Sequence, residues 1–150
     1  MYRRILVPVD GSATCNKALV AALQMARMGG GSLRLVHVIE AALQFSAYGY
    51  AGDLLRVVRE EGSKLLEAAL EISRSAGVPA DTRLVDDPAR RLGEVVRDEA
   101  LAWGADLIVL GTHGRRGLGR VLMGSGAEQI IRQAPVPVLV IRSDAQPPAS

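Results

Sequence analysis

Between Ala105 and Arg132 the chain reads ADLIVLGTHGRRGLGRVLMGSGAEQIIR, and here lie the residues best suited to holding an anion. Gly111, Gly114, Gly117 and Gly119 punctuate a segment that also carries His113, Arg115, Arg116 and Arg120. Gly124-Ser125-Gly126 then opens onto Ala127 and an expected helix. Glycine lets backbone N–H groups approach an oxyanion closely. A helix N-terminus offers unpaired N–H groups at the positive end of its dipole, and Ser125 adds a hydroxyl there. An apolar strand, a glycine-rich basic loop and a helix start, in that order, suit a phosphate. The carboxylate best placed to join them is Asp10, in the turn Asp10-Gly11-Ser12 after the first apolar run.

Each of these residues also has a structural reading. Ser125 with Glu128 fits a capping box, and Asp10 can stabilise a turn or cap the first helix. The three arginines can be a solvated face or can screen phosphate charge. His113 has no second ligand in view for a metal, and a backbone contact to a ligand suits it better than acid–base work. His37, inside an apolar strand, reads as a satisfied core or crevice-wall residue, and Cys15 as a small helix residue. No Gly-Lys-Ser/Thr occurs, which excludes a Walker A loop, and no GxGxxG follows the first strand. Hydrolysis needs an in-line water and charge compensation. With Asp10 alone and no partner base, no catalytic residue is assigned and at most slow hydrolysis is expected.

Positioning such a loop requires strands that end in glycine at one edge of a sheet. Ile5 to Val9 is a continuous apolar run, as in a strand covered on both faces, with Pro8 at its C-terminal end. Ser12 is an N-cap for a helix to about Met28 that carries Ala18, Ala22 and Ala26 on one face. Strands follow at 32–39, 82–85, 107–110 and 136–141. Helices are expected from Asp53 to about Ala76, after an Asp87 cap and Pro88, and from near Ser125. Leu54, Val58, Leu65, Ala69 and Ile72 mark the inward face of the second helix, and Arg34 points outward from the second strand. Residues 40–52 have no clear period and form either a lid carrying Tyr48 and Tyr50 or a surface connection. Strands alternating with helices predict an α/β fold, a doubly wound five-stranded parallel sheet with helices on both faces. Ligands bind such sheets where the winding reverses, here between Val9-Asp10-Gly11 and Gly111-Thr112-His113-Gly114 if strands one and four are neighbours.

The 150 residues fit one domain, 1–142, with a disordered tail over 143–150. Aromatics are only 3% of the chain, so the core must be aliphatic, a palette that suits tight helix-on-sheet packing better than base-stacking surfaces. Eighteen basic and 16 acidic residues leave a net charge of +2, no polybasic signature, and no nucleic-acid partner is expected. The single Cys15 excludes an intrachain disulfide. With no leader and no bilayer-length apolar run, a cytoplasmic protein without a membrane partner is expected.

Gly111-x2-Gly114-x9-Gly124-Ser125 resembles the G-x2-G-x9-G-(S/T) motif of the ATP-binding branch of the universal stress protein family. The opening ILVPVDGS, the lead-in ADLIV and the closing VPVLVIR extend the resemblance over nearly the whole chain. It implies a Rossmann-like fold of the adenine nucleotide alpha hydrolase-like kind and ATP as ligand, with Mg2+ or Mn2+. It implies that Asp10, with Pro8 and Val9 before it, approaches the nucleotide between adenosine and phosphate, and that the backbone around Val38 faces the adenine. Leu110, Gly111, His113, Gly114 and Arg116 then belong to the ribose and inner-phosphate side. Gly124, Ser125, Gly126 and Ala127 belong to the outer phosphates. Gly126 departs from the family, which often has an apolar residue such as Val there. A homodimer through Val136 to Ile141 is implied too. The function implied is a nucleotide-dependent switch in a stress response. The alternatives are a branch working only through protein contacts, and an adenylyl-transfer enzyme, against which stands the lack of an SGGxDS-like loop after strand one.

Overall fold

The computed structural model describes residues 1–39, 51–112 and 125–142. The elements in chain order are β1 (Arg4–Pro8), α1 (Ala13–Gly29), β2 (Ser32–Val38), α2 (Ala51–Ser75), β3 (Ala80–Val85), α3 (Leu92–Trp103), β4 (Leu107–Thr112), α4 (Ser125–Gln133) and β5 (Val138–Arg142). The five strands form one sheet in the order β3-β2-β1-β4-β5, every pairing parallel. β1 and β4 are therefore neighbours, and the winding reverses between them.

Successive side chains of a strand face opposite ways, and both faces are covered. Ile5, Val7, Leu33, Leu35, Leu107 and Val109 pack under α1 and α2. Leu6, Val36, Ile108 and Leu110 pack under α3 and α4 with Val95, Val96, Ala100 and Ile130. The alanine column Ala18, Ala22 and Ala26 lets α1 lie close to the sheet, with Leu19 and Leu23 filling the flanks. Fully burying a leucine contributes roughly 2 kcal/mol, so the aliphatic palette suffices. Among the described residues no helix is long and apolar enough to cross a membrane.

Several local expectations are corrected. The buried line of α2 is Gly62, Leu66, Ala69 and Ser73, whereas Leu54 and Ile72 are about two-fifths exposed. Ser73 can sit inside because its hydroxyl donates to the Ala69 carbonyl at 3.0 Å. α3 is not capped by Asp87 and Pro88 but starts at Leu92, after Arg91, whose N–H donates to the Glu94 carboxylate at 2.9 Å. Asp87 instead closes a local turn, accepting from the Ala89 N–H at 2.9 Å and from Arg90. The Ala89 N–H first and Arg90 second hold its carboxyl below the ordinary range. Arg34 does not point freely outward: it grips Asp81 through two bonds of 2.8 and 2.9 Å and lies 5.0 Å above the Trp103 ring. β3 starts two residues before Thr82, where Ala80 pairs with Leu33. β5 starts at Val138 rather than Val136, since Pro137 has no N–H to donate, although its carbonyl still accepts from Ile108.

Candidate functional site

The ends of β1 and β4 lie side by side because the two strands pair directly, Ile5 with Leu107 and Leu6 with Ile108. Beyond Pro8, Val9 keeps one sheet bond, its N–H donating to the Val36 carbonyl at 2.7 Å. Asp10 is exposed, and its Oδ1 accepts from the Ser12 N–H at 2.9 Å. Gly11 takes φ +82°, a left-handed conformation that glycine adopts at little cost. Ser12 then caps α1, its hydroxyl accepting from the Cys15 N–H at 3.1 Å. Asp10 thus does hold a turn, and its carboxylate still faces solvent at the strand end.

On the β4 side, Leu110 and Thr112 are buried and Gly111 is half-buried between them. A Cβ on Gly111 would stand 2.5 Å from the Thr14 carbonyl oxygen and 2.8 Å from its carbonyl carbon. The first turn of α1 rests directly on this glycine. Cys15, in the same turn, is buried, with its thiol 3.6 Å from the Pro8 carbonyl, and burial is the main cause that pushes the thiol pKa up. That environment favours the unreactive protonated form.

Val38, half-buried at the end of β2, stands one strand away from Val9 on the side of the α3 and α4 core. Ser125 is the first residue of α4, and Gly126 and Ala127 are half-buried in its first turn. Gly126 fills a specific need, because the Leu92 side chain comes within 2.7 Å of the place a Cβ would take. Leu92 occupies the space that a larger residue at 126 would claim. Glu128 pairs with Arg132 at 3.4 Å. His113, Gly114, Arg116 and Gly124 lie outside the described residues, as do Arg115, Arg120, the segment 40–50 and the tail 143–150; so does the side chain of Ser125. The structure therefore brings Pro8, Val9, Asp10, Leu110 and Gly111 to one end of the sheet, where the reversal of winding would make a crevice. Among the described residues no group of three or more His, Cys, Asp and Glu is placed to hold a metal ion.

One contact at this crevice was not legible as such. The His37 Nδ1 lies 2.7 Å from the Val9 carbonyl, and Gly62 of α2 passes against the ring edge. A glycine in the middle of a 25-residue helix costs about 1 kcal/mol against alanine, and that cost was the available signal of a close approach.

The sequence profile described as the Universal stress protein family matches residues 1–142. A putative universal stress protein of Staphylococcus epidermidis is 33% identical over 97% of this chain and 87% of its own length. A crystal structure of a universal stress protein family member from Burkholderia pseudomallei is 36% identical, with TM-score 0.76, covering 93% of this chain and 96% of that one. The universal stress protein from Archaeoglobus fulgidus in complex with dAMP superposes with TM-score 0.71 at 25% identity, covering 93% and 98%.

Proposed function

Because this chain belongs to the universal stress protein family, we propose that it binds an adenine nucleotide, ATP with Mg2+ or Mn2+, where β1 and β4 end side by side. The single observation that carries this reading is the strand order, which sets Asp10-Gly11 beside Gly111 at the point where the winding reverses. Open parallel sheets take their ligands at that point. The dAMP complex of the Archaeoglobus fulgidus relative supports an adenine nucleotide as the class. In this reading Pro8, Val9, Asp10 and Val38 border the nucleoside. Leu110, Gly111, His113, Gly114 and Arg116 follow the ribose and inner phosphates. Gly124, Ser125, Gly126 and Ala127 lie at the outer ones. A divalent cation arrives on the phosphates, with Asp10 as the carboxylate able to reach it.

The protein acts as a switch rather than an enzyme: nucleotide binding shifts the population between two states that present different surfaces, with hydrolysis at most slow. Calorimetric titration with ATP, ADP and AMP tests the reading. Saturable binding tighter than about 1 mM, equivalent to roughly −4 kcal/mol, is the expected outcome. Absence of heat at that concentration for all three nucleotides removes it and favours a protein working through contacts alone.

A homodimer through the last strand belongs to the same reading. β5 is an edge of the sheet, and Val138, Leu139, Val140 and Ile141 are all half-buried, so apolar side chains remain partly open on both faces. An open apolar edge invites strand pairing. Light scattering behind size exclusion is expected to give twice the mass of one chain; a single-chain mass at micromolar concentration would refute the dimer.

A further inference from the structure

The crevice has a support that lies behind it. β1 and β2 stay in register only to the pair Pro8 and Val36. The Val9 N–H still reaches the Val36 carbonyl at 2.7 Å, and beyond that bond a side chain takes over from the ladder. His37 faces the α1 and α2 side, as Leu33 and Leu35 do, and its Nδ1 lies 2.7 Å from the Val9 carbonyl. A carbonyl only accepts, so the geometry assigns the proton to Nδ1. The ring is held on its far edge by α2. A Cβ on Gly62 would stand 2.7 Å from the His37 Cδ2 and 3.2 Å from Nε2, and 3.0 Å from a Leu84 methyl. Three residues along the same helix face, a Leu65 methyl reaches within 2.7 Å of where Gly11 would carry a Cβ. α2 therefore presses on both sides of Asp10, through His37 on the Val9 peptide and through Leu65 on Gly11.

We propose that His37 is a positioning residue for the nucleotide: its Nδ1–H, wedged in place by Gly62 of α2, fixes the Val9 carbonyl and with it the turn that presents Asp10. This rests on the adenine-nucleotide reading above. The bond is made to the residue just before Asp10, and the Asp10 carboxylate in turn holds the Ser12 N–H that leads into the α1 cap. Loss of the bond frees a peptide at the open end of β1. A hydrogen bond at this position changes the population of the ordered turn by up to about tenfold.

The test compares His37→Leu, which removes the donor, with His37→Asn, whose side-chain N–H stands at the Nδ1 position. Amide hydrogen exchange is read at Ser12 and Cys15, with Leu6 and Val36 in the sheet interior as internal controls. His37→Leu is expected to speed exchange at Ser12 and Cys15 about tenfold, to leave Leu6 and Val36 unchanged, and to weaken nucleotide binding by a similar factor. His37→Asn is expected to restore both to within about threefold of wild type. Unchanged exchange at Ser12 in His37→Leu, or an Asn variant as impaired as Leu, overturns the proposal. If His37→Leu does not fold, ring nitrogen shifts of the wild-type protein decide: the Nδ1–H tautomer supports the bond and the Nε2–H tautomer overturns it. Exchange is measured without ligand. A wild type that binds no nucleotide but shows the exchange pattern therefore refutes the adenine-nucleotide reading, while the support of the turn by His37 stands.

Discussion

Gly111→Ala is expected to lower the stability of the protein by about 3 kcal/mol, the upper range for inserting a methyl group into a packed interior. The new Cβ would meet the Thr14 carbonyl oxygen at 2.5 Å, the carbonyl carbon at 2.8 Å and the Thr14 Cγ2 at 2.8 Å. Two of these three atoms are backbone, so no rotamer change relieves the clash. Neither partner can retreat easily. β4 is paired on both sides, with β1 and with β5, where Gly111 itself stands opposite Ile141. α1 is fixed by its Ser12 cap and by the buried Ala18, Leu19, Ala22 and Leu23 that follow. Thermal unfolding should show the loss as a drop of roughly 10 °C for a chain of this size. Gly30 is the internal comparison: it has φ +67° but nothing within 4 Å of the place a Cβ would take, and alanine there costs only the left-handed backbone, about 1 kcal/mol. A Gly111→Ala protein as stable as Gly30→Ala would show that α1 floats on the sheet instead of resting on it.

That result would also alter how the glycine spacing is understood. From sequence, Gly111 looks like the first member of a phosphate-holding set; in the fold its missing side chain is already required by Thr14, with no ligand involved. The strand–helix alternation was legible, because continuous apolar runs and a Ser12 cap are local signals; the adjacency of the strands ending at Pro8 and Thr112 entered only as a condition, and the strand order supplies it. The inward face of α2 was not. Hydrophobicity chose Leu54 and Ile72, but the helix is aimed by what can approach closely, and Gly62 against His37 and Ser73 bonded to Ala69 bury better than a branched side chain there. Asp87-Pro88 misled for a related reason. Asp87 satisfies the Ala89 N–H and Arg90 within its own turn, so the helix starts later, where Glu94 can cap Arg91. Gly126 was legible as a departure but not explained, because its cause, Leu92, comes from another helix. Tertiary partners decided each of these, and no window of neighbouring residues contains them.

The paired substitution Gly124→Val with Ser125→Ala should produce the opposite signature to Gly111→Ala. Nucleotide affinity is expected to fall about a hundredfold, the loss of one or two charge-assisted bonds to phosphate, while the melting temperature stays within about 4 °C. Stability is spared because the anchors of α4 lie downstream of both positions. Gly126 seats on Leu92, the Gln129 side chain accepts from the Gly93 N–H at 3.0 Å, and Ile130 is buried in the core with Val95 and Val96. The cost to the helix is limited to weaker capping, about 1 kcal/mol. On the proposed reading binding suffers because the backbone freedom of glycine is lost at 124, next to a helix N-terminus whose N–H groups and dipole favour an anion, and the Ser125 hydroxyl is removed as well. Titration and thermal unfolding on the same two proteins separate the roles: stability lost at 111, affinity lost at 124 and 125. If the double variant keeps its affinity, then Gly124 and Ser125 hold no phosphate, the spacing they share with Gly111 reflects packing throughout, and the crevice beside Asp10 must take its ligand without them.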